Sequence, residues 1–313
     1  MVSQARSLSS PSVEARESRR VWRTERGALA FITPALLCLL VTVAYPIAHS
    51  IWISFHRWNL VSNVQRWVGL ENYADLFQDP ALLTVFRVTA VYTGLSVAIE
   101  LVLGLALALV FRAGLTRGLR GFPVLRILVL APVLVAPLLW GFYFRSFFSP
   151  QFGVFNQLLE IVDLGPVLWV NDPALAVYSL VLADVWQWTP FMFSIILSGL
   201  LALHGDIAEA ARVDGATPWR VFRDIELPLL QPVLLVAVLI RFIDSIKYLD
   251  LVLVITQGGP GTSTEILNYF AYRTAFQAYS MGMGATIALL VFAVIMGATV
   301  LLLRLLRSND GRA

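Results

Sequence analysis

Six apolar runs, each about as long as the ~20 residues needed to cross a bilayer as a helix, leave this chain few choices of fold. They are placed at about 28–54, 85–111, 123–144, 173–203, 229–256 and 281–306. In hydrocarbon the backbone must satisfy its own hydrogen bonds, so runs of this length read as helices. Composition agrees: 58% of the 313 residues are hydrophobic and 14% charged, where a soluble domain carries about 25% charged residues. The expected fold class is an all-α polytopic membrane protein with six transmembrane helices. The first run is too long for a signal-peptide core of about 7–15 residues, and no small-x-small cleavage site follows closely. It reads as an uncleaved span kinked near Pro34 or Pro46.

Several kinds of chemistry are excluded by what is scarce. Cys38 is the only cysteine, and His49, His56 and His204 are scattered, so neither a disulfide nor a Cys/His metal site is expected. Lys247 is the only lysine. A Walker A loop needs a lysine on the transferred phosphates within its own motif, so ATP, if used, is hydrolysed on another polypeptide. A net charge of +3 is too small to argue for nucleic acid.

Charge between the spans orients them. The Ser- and Arg-rich tail (1–27), the loop with Arg112, Arg117, Arg120 and Arg126, the loop with Arg212, Arg220 and Arg223, and the C-terminal end with Arg304, Arg307 and Arg312 alternate with loops holding few arginines. Lys/Arg excess marks the cytoplasmic side, so both termini are expected inside. Within 55–83, the helical spacing of Leu70, Tyr73, Ala74 and Phe77 predicts a short amphipathic helix along the outer interface.

A charge at the bilayer centre costs about 2.5–3.5 kcal/mol on insertion scales and marks function by default. Span five carries Arg241, Asp244, Lys247 and Asp250 at three-residue steps, a pattern that reads either as a self-neutralising ladder or as groups partly facing a watery path. Span four groups Asp184, Trp186, Gln187, Trp188, Thr189 and Pro190. A proline there frees a backbone carbonyl, and carboxylate, amide and indole groups together suit a sugar. Glu100 in span two reads as a packing or gating charge. Pro132, Pro137 and Trp140 predict an irregular third span facing the centre.

The longest polar break in the apolar region is Asp206–Pro232, DIAEAARVDGATPWRVFRDIELPLLQP. Asp206 with Glu209 offers a capping-box start. Gly215 sits where a helix closes in the left-handed region. Thr217 and Pro218 restart a second helix as N-cap and first residue. Between the two ends, Ile207, Ala210 and Ala211 give a small-residue face that another surface can approach closely. Glu209-Ala210-Ala211, three residues to Gly215, nine more to Ile225, then Leu227-Pro228 resembles the Glu-Ala-Ala loop of ATP-binding-cassette importer permeases, with Asp214 before the glycine.

APVLVAP at 131–137, DVWQWTPFM at 184–192 and VITQGGPGTST at 254–264 make nearly the whole chain after residue 28 similar to carbohydrate-class permeases, the half that corresponds to the first-named membrane subunit of the maltose and trehalose systems. The resemblance implies the type I importer-permease (MetI-like) fold: a tail (1–27), a first span and outer segment (28–84), a permease core (85–306) with a coupling loop at 204–228, and a C-terminal tail (307–313). It implies ATPase-coupling roles for Glu209, Ala210, Ala211, Asp214 and Gly215. Substrate-pathway positions carried over from the maltose relative fall on Val133, Pro137, Asp184, Gln187, Trp188, Phe191, Asp244, Ser245 and Tyr248. The implied partners are a second permease, two ATPase subunits that hold ATP and Mg, an extracytoplasmic sugar-binding protein, a di- or oligosaccharide such as trehalose or maltose, and the lipid bilayer; this chain would hold no cofactor itself and be no enzyme. Glycerol-phosphate importers have similar permeases, and an ion-coupled secondary transporter is the competing class.

Overall fold

The computed structural model describes residues 32–203, 209–211 and 213–310. The expectations placed on the tail arginines, His204, Asp206, Ile207, Arg212 and Arg312 lie outside the described residues. The chain divides into two compact units, Met1–Ile53 and Ser54–Ala313.

Helix α1 (Ile32–Ser54) is apolar and long enough to span. Its regular winding gives way to a π-turn at Leu40–Ala44, immediately before Pro46. Proline has no N–H for the carbonyl four residues back, so the turn widens where the ladder is interrupted. Of the two kink positions expected, the irregularity adjoins Pro46.

The second unit begins with a feature the apolar pattern did not announce. His56–Asn59 (β1) and Val64–Trp67 (β2) pair antiparallel as a hairpin. The turn uses Asn63 in the left-handed region, φ 51°, and Asn59 Oδ1 accepts from the amides of Val61 and Ser62. Helix α2 (Glu71–Gln78) follows, as the spacing predicts, but its buried face carries Asn72 and Leu76. Leu70 and Phe77, on the stripe read from spacing, are exposed. Asn72 turns inward because its amide donates to the Ser54 and His56 carbonyls, at 2.7 and 3.0 Å.

Helix α3 (Pro80–Thr116) is capped by Asp79, whose side chain accepts from the Ala81 amide. Span three is two helices, α4 (Phe122–Leu134) and α5 (Pro137–Phe147), bent by 92°. Pro137 lacks the N–H that would continue α4, and the residue before a proline avoids helical backbone; Ala136 is accordingly extended, ψ 135°. Trp140 Nε1 takes up the Pro132 carbonyl at 2.7 Å. A short helix, α6 (Val154–Glu160), precedes α7 (Ala176–Ala202), which runs through Pro190.

The fifth span is assembled from pieces: α8 (Pro218–Val221), a π-turn (Phe222–Glu226), α9 (Leu227–Lys247), a break at Tyr248–Leu249, and a second π-turn (Val252–Thr256). Then come α10 (Leu267–Tyr272), a π-turn (Arg273–Gln277) and α11 (Met281–Asp310). Among the described residues, five helices are long and apolar enough to cross a membrane, six when the bent α4–α5 pair counts as one.

Helix α3 lies close along α7. Gly104 permits it: a Cβ there would stand 2.8 Å from Met192 Cβ and 3.0 Å from the Phe193 amide nitrogen. At one end of this seam Phe111, Phe193, Leu197, Leu200 and Leu230 form one apolar cluster. Tyr92, Leu180, Tyr248, Leu251 and Tyr269 belong to another. Between them lies a polar layer.

Candidate functional site

Two places carry chemistry. The first is the polar layer where α3, α7 and α9 meet. On α3, Tyr92, Ser96 and Glu100 recur every four residues and so share one face. Opposite them, α7 offers Asp184, Gln187 and Trp188, and α9 offers Arg241, Ser245 and, at its end, Tyr248.

Arg241 is at the centre and wholly buried. Its Nε and Nη2 donate to the two Glu100 carboxylate oxygens at 2.6 and 2.7 Å, and Nη2 also reaches Asp184 Oδ2 at 3.0 Å. Its guanidinium carbon lies 4.8 Å from the centre of the Trp188 ring. The three-residue charge spacing in span five thus forms only one of its expected links, Asp244 to Lys247 at 3.2 Å, between half-exposed side chains. The Arg241–Asp244 link does not form because Arg241 turns across to two other helices. A planar fork in a desolvated site gains more from a bidentate carboxylate than from a partly solvated neighbour one turn away. Glu100, which the sequence suggests as a packing or gating charge, is held in this fork.

Beside the ion cluster, Tyr248 Oη donates to Gln187 Oε1 at 2.6 Å. Gln187 Nε2 donates to the Val135 carbonyl at 3.3 Å, which the break between α4 and α5 has freed. Trp188 meets Phe191 and Tyr248 edge-on, with ring centres 6.0 and 6.3 Å apart. Ser245 reaches Thr93 at 3.3 Å. Arg241 Nη1 makes no hydrogen bond among the described residues; Tyr92 Oη and Ser96 Oγ face the Asp184 carboxylate, and Trp188 Nε1 faces Tyr248, without closing to full hydrogen-bond geometry. Buried groups of this kind are rare unless something completes them.

Of the pathway positions read from sequence, Asp184, Gln187, Trp188, Phe191 and Tyr248 come together, and Ser245, one turn beyond Arg241 on α9, bonds Thr93 on α3. Pro137 and Val133 are half-buried on either side of the break that Gln187 touches. Asp244 points elsewhere, to Lys247. Beyond Glu100, the contribution of α3 is not among the sequence expectations, although its four-residue repeat of polar groups in an apolar span was available.

The second place is the elbow that the sequence suggests as a coupling loop. Glu209–Ala211 and Val213 are helical, and Gly215 closes the turn at φ 84°. The Ala216 amide donates to the Ala211 carbonyl at 2.9 Å, the six-residue closure that a left-handed glycine allows. Thr217 Oγ1 accepts from the Arg220 amide at 3.4 Å and Pro218 opens α8. Glu209, Ala210, Asp214 and Gly215 are exposed, and Ala211 is half-exposed. The face of small residues is therefore open to another surface.

On the side of the break at Tyr248, Gln257, Gly258 and Gly261 adopt left-handed backbone, at φ 53°, 81° and 62°. Thr264 Oγ1 lies 2.7 Å from the Gly259 carbonyl and 2.8 Å from the Thr256 hydroxyl. Arg145 Nη1 donates to the Val254 carbonyl at 2.9 Å, joining α5 to the second π-turn.

Comparison with known proteins identifies the family. Residues 100–308, which hold both the ion cluster and the elbow, match the family model for binding-protein-dependent transport system inner membrane components. The trehalose/maltose transport system permease protein MalF of Thermococcus litoralis is 34% identical over 287 residues, covering 92% of this chain and 96% of that protein. The trehalose transport system permease protein SugA of Mycobacterium tuberculosis is 34% identical over 271 residues, covering 86% and 85%. Among solved structures, a bacterial ABC transporter that imports the acidic polysaccharide alginate superposes with a TM-score of 0.79 at 20% identity, over 92% of this chain and 99% of that one. The methionine transporter MetNI, inward facing, gives 0.55 at 18%, over 74% and 99%. The fold is that of the type I importer permeases, and the chain is a multi-pass membrane protein that belongs to the family of binding-protein-dependent transport system inner membrane components, a family of transport subunits and not of enzymes.

Proposed function

We propose that this chain is one of two permease subunits of an ATP-driven sugar importer, with a di- or oligosaccharide such as trehalose or maltose as substrate. The observation that carries this reading is the incomplete polar layer beside Trp188. An acceptor (Asp184 Oδ1) and donors (Arg241 Nη1, Trp188 Nε1) are buried with their hydrogen bonds loose or unmade, next to aromatic faces and the Gln187–Tyr248 pair. Sugar hydroxyls are both donors and acceptors, and their C–H faces cover indole and phenol rings. Similarity to permeases named for trehalose and maltose transport points the same way.

The layer is closed by its own ion pairs in this conformation. Alternating access would open it as α7 withdraws from α9: Asp184 is held by one contact, Glu100 by two. The sugar would arrive from an extracytoplasmic binding protein docked on the outer loops. Two ATPase subunits, holding ATP and Mg, would close on the cytoplasmic side and drive the elbow. In that arrangement Glu209 makes docking contacts, Ala210 and Ala211 allow close approach, Asp214 and Gly215 set the corner, and both termini are cytoplasmic. Residues 85–306 would be the transport core. A glycerol-phosphate substrate would need a free cation, whereas Arg241 and Lys247 are each held by carboxylates.

Reconstitution tests this. The chain with its partner permease, ATPase subunits and binding protein should take up labelled trehalose or maltose into proteoliposomes only with ATP and binding protein present. Uptake by this chain alone, driven by an ion gradient, would overturn it.

A further inference from the structure

The segment joining the elbow to span five is irregular at a particular place. After α8 the winding widens into the π-turn Phe222–Glu226, where the Leu227 amide donates to the Phe222 carbonyl. An added residue per turn turns everything upstream of it by about 100° relative to a regular helix, and such turns gather at functional positions. Here the turn ends on a carboxylate that faces inward: Glu226 is 6% exposed.

Its partner is Arg112, whose Nη2 stands 2.9 Å from Glu226 Oε2. Arg112 lies four residues before the end of α3, and its side chain is 23% exposed. Phe111, its neighbour, is sealed into the apolar cluster with Phe193, Leu197 and Leu230. The same two rods are also joined by Glu100 and Arg241. On α3 the two tie points lie about 18 Å apart at 1.5 Å per residue. Helices pinned at two heights cannot tilt independently, and a displacement of one end of the fifth span is delivered to α3 as well.

We infer that Arg112–Glu226 is a coupling strut. It makes α3 move with the rod that carries the elbow, so that force from the ATPase reaches two spans at the cytoplasmic end. This rests on the coupling role proposed for Glu209–Gly215, and it assigns Arg112 and Glu226 as positioning residues that act through the elbow. A neutral pair of the same shape would hold less firmly, because a largely desolvated charge pair resists separation more than an amide does.

The test uses the assembled transporter in proteoliposomes and reads sugar molecules imported per ATP hydrolysed, together with cross-linking of a cysteine at Ala210 to the ATPase. Glu226→Gln and Arg112→Gln should each lower that ratio by about fivefold or more, while ATP is still hydrolysed and the Ala210 cross-link still forms. The exchange Arg112→Glu with Glu226→Arg should restore the ratio substantially, and it remains informative should a single variant fail to assemble. An unchanged ratio in the single variants, with uptake and hydrolysis falling only in step with the amount of complex, makes the pair a structural tie and overturns the strut. So does an exchange that assembles but stays as uncoupled as the singles, the outcome expected if Arg112 serves an anionic lipid headgroup instead. Failure of the wild-type Ala210 cross-link would instead remove the coupling reading on which the strut rests.

Discussion

Arg241 and Glu100, which are 141 residues apart in sequence, form a two-bond fork at 2.6 and 2.7 Å with both side chains wholly buried. Such a pair is no simple gain in stability, because taking both charges out of water costs several kcal/mol per ion. The fork, the additional Asp184 contact and the Trp188 face offset that cost together. What the arrangement supplies is specificity of position: three spans are fixed in rotation about one guanidinium.

Removing one member should therefore cost far more than the pair is worth. Arg241→Met would leave two carboxylates facing each other in a dry site. About 3–5 kcal/mol of stability should be lost, as when other buried pairs are broken. Arg241→Lys should also be destabilising, since one ammonium cannot supply the planar fork. Thermal unfolding of the purified subunit complex in detergent measures both. By contrast, Lys247→Met should shift unfolding by less than about 1 kcal/mol, because the Asp244–Lys247 pair is half-exposed. Equal effects at the two positions would contradict the buried role given to Arg241.

Gly215 at φ 84° has nothing within 4 Å of where a Cβ would stand. The cost of a side chain there is thus backbone strain, about 1–2 kcal/mol, and not a clash. Membrane insertion should survive in every variant. Gly215→Val should lose transport, because a β-branched residue does not hold this conformation. Gly215→Asp should also uncouple, since it adds a charge beside Asp214 on the face proposed to dock the ATPase. Gly215→Asn should keep the most activity, as asparagine enters the left-handed region more readily. Uptake at the wild-type rate in Gly215→Val and Gly215→Asp would show that the corner does not set the helix direction.

The elbow was legible in sequence because its signals are local. Gly215, Thr217 and Pro218 act on their own backbone, and each stands where its chemistry requires. The spans were legible because lipid demands length and apolarity. What the pattern hid was non-local. The spacing of Arg241, Asp244 and Lys247 suggested neighbours along one helix, yet the partners of Arg241 come from α3 and α7. Periodicity cannot tell which of two geometrically allowed partners a long side chain takes, because that depends on burial. The hairpin at His56–Trp67 was missed for a related reason: four-residue strands carry too little alternation to be read. Pro132, Pro137 and Trp140 did announce an irregular third span, though not a 92° bend.

The α3–α7 seam depends on the absence of one side chain. At Gly104 an added Cβ would come within 2.8 Å of Met192 Cβ and 3.0 Å of a backbone nitrogen, which cannot rotate away. Gly104→Leu should force the helices apart and cost about 1–3 kcal/mol, as overpacking does elsewhere. It should also loosen the Glu100 fork one turn away. Gly94, on the same helix, has nothing within 4 Å of a built Cβ, so Gly94→Ala should be tolerated. Thermal unfolding of the two variants side by side checks the contrast.

Tyr248 separates a sugar-path role from a packing role. Its hydroxyl donates to Gln187 at 2.6 Å, and its ring packs edge-on to Trp188. Tyr248→Phe keeps the ring and removes only the hydroxyl, leaving Gln187 Oε1 without its donor, a loss of about 1–3 kcal/mol for a buried acceptor. If the pair is structural alone, unfolding should shift and uptake per folded complex should not. If it faces the path, uptake per folded complex should fall and sugar dependence should change, since a hydroxyl-binding site is left incomplete. The second outcome is expected, because the incompletely bonded polar atoms of Asp184, Arg241 and Trp188 belong to the same layer. Transport per complex measured across sugar concentrations, beside the unfolding midpoint, decides between the two.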